Sequence, residues 1–442
     1  MRRFLGMVLF AIGVPLSMVV LSYGVYWAVA GLEHLFVAVL QAPPTYGAAV
    51  ANVLLLMAGV VMTTAAALTV GERKWSAMIQ NRIGPNRIKL FGISLGGIFF
   101  LIADALKMIT KENIQPTQRS RFLYELAPMA AFAPSFVLFA VVPVGPSVSI
   151  HIGGMVHRVA LQVASIDAGL LFVFGAASLA VYGTALAGWA SNSKFAMLGG
   201  VRAAAQMIGY EVSLGLSLAG AMMAYQSLRI EQMVVAQGQL LWGFLPALGF
   251  FLQPLALLIF FTSAFAETKR APFDLPEGES EIVGYFVEYP GMKFGMMFLA
   301  EFIEVVVLAA ITAAVFFGGW HVVFFEQTLK EAVGDGTVAW AAICAGAFLG
   351  KVLLLCWLQL VIRWTLPRFR FDQIQKLCWK ILLPLTLVNV FVTGAAVLID
   401  PSLELLAAIG LVEIVAVVAI TAAVKGDLPA RAGQAAPAHA AH

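Results

Sequence analysis

Between residues 266 and 289 the chain reads Ala-Glu-Thr-Lys-Arg-Ala-Pro-Phe-Asp-Leu-Pro-Glu-Gly-Glu-Ser-Glu-Ile-Val-Gly-Tyr-Phe-Val-Glu-Tyr, a dense polar stretch set between two long apolar runs. After Lys269 and Arg270 the next base is Lys293, so Asp274, Glu277, Glu279, Glu281 and Glu288 have no cation among them. If Pro276 opens a helix, where its fixed φ and missing N–H are tolerated, a step of about 100° per residue puts Glu277, Glu281 and Glu288 on one face. Two carboxylates roughly 6 Å apart at an effective dielectric of about 20 repel by about 3 kcal/mol. Such a row would hold protons near neutrality and release them when a neighbouring charge changes. A solvated acidic loop beside a membrane would have the same composition, so the segment by itself leaves both readings open.

The elements that must hold this stretch are membrane helices. The chain has 442 residues, 61% hydrophobic and 12% charged, with a mean hydropathy of +0.92, and uncharged runs of about 20 residues or more recur along it. That pattern predicts an all-α polytopic membrane protein, and the alternating segments of a β-barrel are not seen. Ten spans are expected, at about 7–30, 48–70, 123–144, 168–188, 197–224, 240–263, 294–317, 337–362, 377–398 and 403–424. The first is too long in its apolar core for a cleaved signal peptide. With both termini inside, nearly all Lys and Arg collect on the cytoplasmic face, leaving Arg158, Arg229 and Lys330 outside and Lys351 within a span.

Within the first long inner segment, residues 97–112 place Asp104, Lys107 and Lys111 at i, i+3 and i+7 among apolar residues. This predicts an amphipathic helix lying in the interface, because the charge-free run 90–103 is too short to span. Residues 143–165 could form a short outer hairpin, and the Ala-rich tail after Lys425 is expected to be disordered.

Composition also excludes some functions. A net charge of +3 indicates no large basic face for nucleic acid. Cys344, Cys356 and Cys378 stand singly, and the six histidines are scattered. No metal, haem or iron–sulfur site can be assembled from local spacing, so electrons would need a partner's cofactors.

Charges inside spans cost about 2.5–3.5 kcal/mol each at mid-bilayer. Glu211, Glu301, Glu304 and Lys351 are that deep, and the default reading is a proton or ion path. Glu211 and Arg202 are too far apart on one helix to pair, so Glu211 needs a partner from another span. Lys351 could instead simply neutralise one of the acids. Glu404 and Glu413 in the last span suit a neighbouring subunit or the interface, and Asp167 suits a helix N-terminus.

Further motifs follow the second span. Residues 71–87 run Gly-Glu-Arg-Lys-Trp-Ser-Ala-Met-Ile-Gln-Asn-Arg-Ile-Gly-Pro-Asn-Arg. A positive-inside anchor accounts for Arg73 and Lys74. The mixture of bases with Trp75, Met78 and Ile79 suits a half-apolar, half-polar ligand entering from the bilayer.

These residues carry a resemblance. Glu-Arg-Lys at 72–74, Gln-Asn-Arg-Ile-Gly-Pro-Asn-Arg at 80–87, Ala-Glu-Thr-Lys-Arg-Ala-Pro-Phe-Asp-Leu-Pro-Glu-Gly-Glu-Ser-Glu at 266–281, Gly-Trp-Ala-Ser-Asn-Ser-Lys at 188–194, Arg-Ala-Ala-Ala-Gln-Met-Ile-Gly-Tyr-Glu at 202–211 and Leu-Pro-Arg-Phe-Arg-Phe-Asp-Gln at 366–373 are its signature segments. The chain thereby resembles the quinone-site membrane subunit of respiratory complex I, the H subunit of bacterial NADH:quinone oxidoreductase. The likeness covers about 48–398, a family core of eight spans. It leaves 1–47 as an extra N-terminal helix and outer loop, 399–424 as an extra C-terminal helix and 425–442 as tail.

The resemblance implies a chain without a redox centre of its own, in the bacterial cytoplasmic (inner) membrane. It would form a chamber for ubiquinone or menaquinone with hydrophilic-arm subunits, whose terminal iron–sulfur cluster delivers electrons, FMN and the clusters belonging to partners. Small membrane subunits and antiporter-like proton-pumping subunits would complete the assembly. Carried over by position, the quinone chamber draws on Glu72, Arg73, Arg82, Asp104 and Arg270, with Arg363 at its rim. The acid line draws on Glu211, Asp274, Glu277, Glu279, Glu281, Glu288 and Glu301. Members usually have one more residue between the positions of Glu281 and Glu288, and many have a neutral residue at that of Glu304. Two rivals are a stand-alone secondary transporter, against which stands the lack of repeated halves, and the membrane anchor of a related ion-pumping hydrogenase. The full 73–87 motif favours quinone over the latter.

Overall fold

The computed structural model describes residues 2–40, 44–88, 97, 99–278, 281–323 and 325–426. Among these, nine helices are long and apolar enough to cross a membrane, and the fold is all-α apart from short hairpins. The chain runs α1 (Arg2–Leu40), α2 (Gly47–Ile79), α3 (Phe99–Thr110) and α4 (Arg121–Val141). A hairpin of β1 (Val148–Ile152) and β2 (Met155–Val159) follows, pairing Val148 with Val159 through a turn at Gly153 and Gly154. Then come α5 (Gly169–Ala190), α6 (Lys194–Tyr225), α7 (Pro254–Glu267), α8 (Gly291–Phe316), α9 (Val338–Thr365), α10 (Phe371–Ile399) and α11 (Glu404–Gly426).

The centre is α8. Its sequence is apolar all round, which marks a helix buried in protein, and from Ala300 to Phe316 every residue is buried. It packs on α2, α3, α4, α7 and α9. Around it α5 crosses α4 at Gly183, where a Cβ would run into the backbone of Ala131, and α6 lies against α5, α7 and α10. The only two ionisable residues buried within this central helix are Glu301 and Glu304.

The sixth expected span, 240–263, does not form one helix. Leu240–Leu241 pairs with Leu245–Pro246, Gly249–Leu252 makes a single turn, and α7 starts afresh at Pro254, which can donate no backbone hydrogen bond. At about 1.5 Å per residue its 14 residues fall short of a bilayer's hydrocarbon thickness. Broken backbone at that depth must be covered by protein. Here α11 covers it: Gly410 leaves no room for a Cβ beside the Phe251 carbonyl, and a Glu413 carboxylate oxygen accepts from the Leu255 N–H at 3.3 Å.

Two boundaries also moved. The second helix continues to Ile79, so Glu72 and Arg73 are helical rather than following the span. The last helix runs on to Gly426, and the tail expected to be disordered lies, from residue 427, outside the described residues.

Candidate functional site

Three elements end together at one end of the bundle. The last turns of α2 carry Glu72 and Arg73, the start of α3 brings Phe100, and the end of α9 brings Arg363 and Trp364. With the turn Asn81–Ile88 they enclose a cavity of about 690 Å³ lined by Glu72, Arg73, Arg82, Ile83, Phe100 and Trp364 among others. Its wall is held by charge pairs. Arg270 Nη1 donates to Glu72 Oε2 at 2.9 Å and Arg363 Nη1 to Glu72 Oε1 at 2.8 Å, so one carboxylate takes two guanidiniums. Arg270 is buried and lies over the Phe302 ring of α8 at 3.7 Å, a cation–π contact. Arg73 Nη2 reaches Asp104 Oδ2 of α3 at 3.2 Å and its guanidinium covers the Phe100 ring at 4.3 Å. Arg82 donates to the Gln80 side chain at 2.6 Å and is otherwise exposed. All six residues assigned to the chamber are thus lining residues or bonded to one.

The acidic stretch begins where α7 stops. Its described residues, 268–278 and 281–290, form turns and not a helix, which corrects the helical face expected for Glu277, Glu281 and Glu288. Pro272 and Pro276 remove donors, and Lys269 (φ 56), Val283 (φ 67) and Gly284 (φ 130) take left-handed backbone that a helix cannot contain. Buried loop backbone needs partners, and Gln206 of α6 supplies them: its Nε2 donates to the carbonyls of Ala266 at 2.7 Å and Phe273 at 2.8 Å.

The acids consequently separate. Asp274 accepts from Arg368 Nη2 at 2.6 Å; burial nonetheless pushes its carboxyl above the ordinary range, with Arg368 pulling the other way. Burial, the Glu301 carboxyl of α8 and Asp274 push Glu277 well above the carboxylate range. Tyr285 O–H donates to Glu301 Oε1 at 3.0 Å. Glu281 is exposed and pairs with Arg202 of α6 at 2.9 Å. Glu288 is partly buried, and its backbone carbonyl accepts from Tyr124 O–H at 2.5 Å. Glu211 takes its partner from α5, accepting from the Ser178 hydroxyl. Glu279 lies outside the described residues. Lys351 neutralises none of the acids at hydrogen-bond range: its ammonium donates to the carbonyls of Phe317, Gly319 and His321 at 2.7, 2.8 and 2.7 Å, beyond the far end of α8.

Several residues of this region were not singled out from sequence. Glu267 closes α7, is 6% exposed and has an Oε2 without a partner; a carboxylate is unfavourable at a helix C-terminus, which was a readable signal. Arg368, Gln206 and Tyr285 lay within recognisable motifs, but only the fold shows what they touch. Glu304 binds Ser135 Oγ at 2.7 Å and faces Lys269.

These features define a multi-pass helical membrane protein with a charged cavity at one end, joined through Arg270 to a nest of buried acids around a central helix. The chain belongs to the NADH dehydrogenase family, whose model matches residues 51–394. It is 42% identical over 336 residues to the first of the NADH-quinone oxidoreductase H subunits of Geobacter metallireducens, covering 76% of this chain and 92% of that one. Over 346 residues it is 42% identical to the second H subunit of the same enzyme in Syntrophobacter fumaroxidans, covering 78% and 95%. Over 332 residues it is 39% identical to the first H subunit of Cytophaga hutchinsonii, covering 75% and 91%.

Proposed function

We propose that this chain is the membrane subunit of a proton-translocating NADH:quinone oxidoreductase in which the cavity beside Glu72 receives the quinone headgroup. Arg73, Arg82 and Asp104 line or brace the chamber, Arg270 and Arg363 orient Glu72, and Phe100 and Trp364 offer aromatic faces. Electrons come from the terminal iron–sulfur cluster of a hydrophilic arm, FMN and clusters being partners' cofactors. Protonation of Glu277 and Glu301, flanked by Asp274, Glu267 and Glu211, then carries the charge change toward small and antiporter-like membrane subunits. Glu281 and Glu288 border this line, and it runs without Lys351. The membrane is the bacterial cytoplasmic (inner) membrane, with the cavity and both termini on the cytoplasmic side.

The observation that carries this reading is the Arg270–Glu72 bond, which ties the cavity wall to the loop holding the acids. The test is purification through a tag on this chain. The expected assembly oxidises NADH, reduces quinone and acidifies one side of a vesicle membrane. Hydrogenase subunits in its place, or ion transport by the isolated chain, would overturn the reading.

A further inference from the structure

Lys269 is a buried base in a region of buried acids. It follows α7 directly in left-handed backbone, and only 2% of its surface is exposed. Its Nζ lies 3.7 Å from Glu304 Oε2, while the other oxygen of Glu304 accepts from Ser135. That separation exceeds hydrogen-bond length, so the ammonium is paired by charge without being locked in place. Glu304 and Glu301 of α8, Glu267 at the end of α7 and Glu277 of the acidic loop all act on it. Glu211 of α6 acts on Glu267 in turn. The neighbouring Arg270 is engaged by Glu72, and Arg202 by Glu281.

An unpaired ionised carboxylate is strongly disfavoured in such surroundings. One ammonium among four carboxyls therefore supports about one negative charge at a time. We propose that Lys269 is a shared counter-charge that decides which of Glu267, Glu277, Glu301 and Glu304 is ionised, with Glu304 its resting partner. The inference rests on the proton-transfer reading of these acids. Burial works to discharge Lys269, but Glu304, Glu301, Glu267 and Glu277 outweigh it and hold its proton above the ordinary lysine range. The lysine thus stays charged, and protons move between carboxyls. When Glu304 takes a proton from Glu301 or Glu277, the negative charge passes to the donor and the ammonium on its flexible stem follows. Atoms and charge balance within the cluster.

The test uses the purified, assembled complex in vesicles, reading protons moved per quinone reduced. Lys269→Gln should lower that yield by about tenfold, with ferricyanide reduction by the arm unchanged. Glu304→Gln should keep at least about half of the yield, because three other carboxyls remain to pair with the ammonium. Lys269→Gln/Glu304→Gln should be as poor as Lys269→Gln alone. A wild-type yield in Lys269→Gln, or rescue in the double variant as expected of an ordinary structural ion pair, would overturn the proposal. Should Lys269→Gln fail to assemble, Glu304→Gln still decides, since a tenfold loss there is incompatible with a replaceable resting partner. Glu301→Gln tests the parent reading separately: full pumping in that variant removes the acid line, whereas loss there with Lys269→Gln unaffected removes only the counter-charge.

Discussion

Arg270 and Glu72 are 198 positions apart in sequence and 2.9 Å apart in space. The arginine heads the acidic loop and the glutamate stands on the last turns of α2 beside the cavity. Arg363 takes the second oxygen of the same carboxylate, leaving one net positive charge in the trio, and Phe302 of α8 lies under the Arg270 guanidinium. A change of charge in the cavity is therefore felt through one carboxylate by a side chain touching the helix of Glu301 and Glu304. This arrangement makes the cavity and the acid nest one electrostatic unit.

Glu72→Gln should disable that unit. Removing one member of a buried pair strands the other, a loss of about 3–5 kcal/mol when nothing replaces it, and Gln restores only an uncharged acceptor. Quinone reductase activity is expected to fall by about tenfold or more, with ferricyanide reduction by the assembled arm intact. Unchanged quinone reduction would detach Glu72 from the chamber.

Arg82 holds only Gln80 and is exposed to the cavity, so its removal leaves no buried charge behind. Arg82→Ala should raise the apparent quinone KM by about tenfold with little change in kcat, the mark of binding lost equally in ground and transition states. Steady-state titration with a short-chain quinone measures it, and an unaltered KM takes Arg82 out of the site.

Glu277 and Glu281 look equivalent in sequence but not in the fold. The first meets Glu301 and the second is exposed beside Arg202. Exposed pairs contribute about 0–1 kcal/mol. Glu277→Gln should therefore lower the proton yield several-fold more than Glu281→Gln, measured in vesicles containing each assembled variant. Equal losses would show that the loop acts as a whole.

How far the sequence led is visible in these same residues. Apolar run length located the long helices, because burial in a bilayer writes itself into composition, and the motifs at 72–87 and 266–281 held residues that the fold brings to the cavity and the buried acids. The 240–263 segment misled, since an apolar run does not reveal that Pro254 restarts the helix and that α11 covers the gap. The helical face of Glu277, Glu281 and Glu288 failed because loop backbone pinned by Gln206 outweighed local periodicity. Lys269 counts in sequence only as one of the cytoplasmic bases, and only tertiary packing shows it buried beside Glu304.

The raised carboxyls set a pH dependence. Asp274 and Glu277 both keep their protons above the ordinary carboxylate range, chiefly through burial. A folded-state pKa above the unfolded value means stability fully present below the unfolded pKa, near 4, and lost as pH rises through the folded one. Thermal inactivation of the assembled complex should accelerate as pH rises from about 4 through the raised range of these carboxyls. Glu277→Gln, which cannot ionise, should flatten that slope, and an undiminished slope would assign it to other groups.

Lys351 stands apart from the buried acids. Its ammonium donates to the carbonyls of Phe317, Gly319 and His321, the groups a helix leaves unpaired at its end and in the turn after it, and a cation is favoured there. Gly318 and Gly319 take left-handed backbone in that turn, which brings the carbonyls to one point. Hydrogen bonds to a charged group are worth about 1.5–3 kcal/mol each, so Lys351→Met leaves three part-buried acceptors without a donor and should make the complex markedly less heat-stable. Protons moved per quinone reduced should stay at the wild-type value in the surviving assembly, because the far end of α8 is braced rather than titrated. A normal melting profile combined with lost pumping would reverse the assignment and return Lys351 to the proton path.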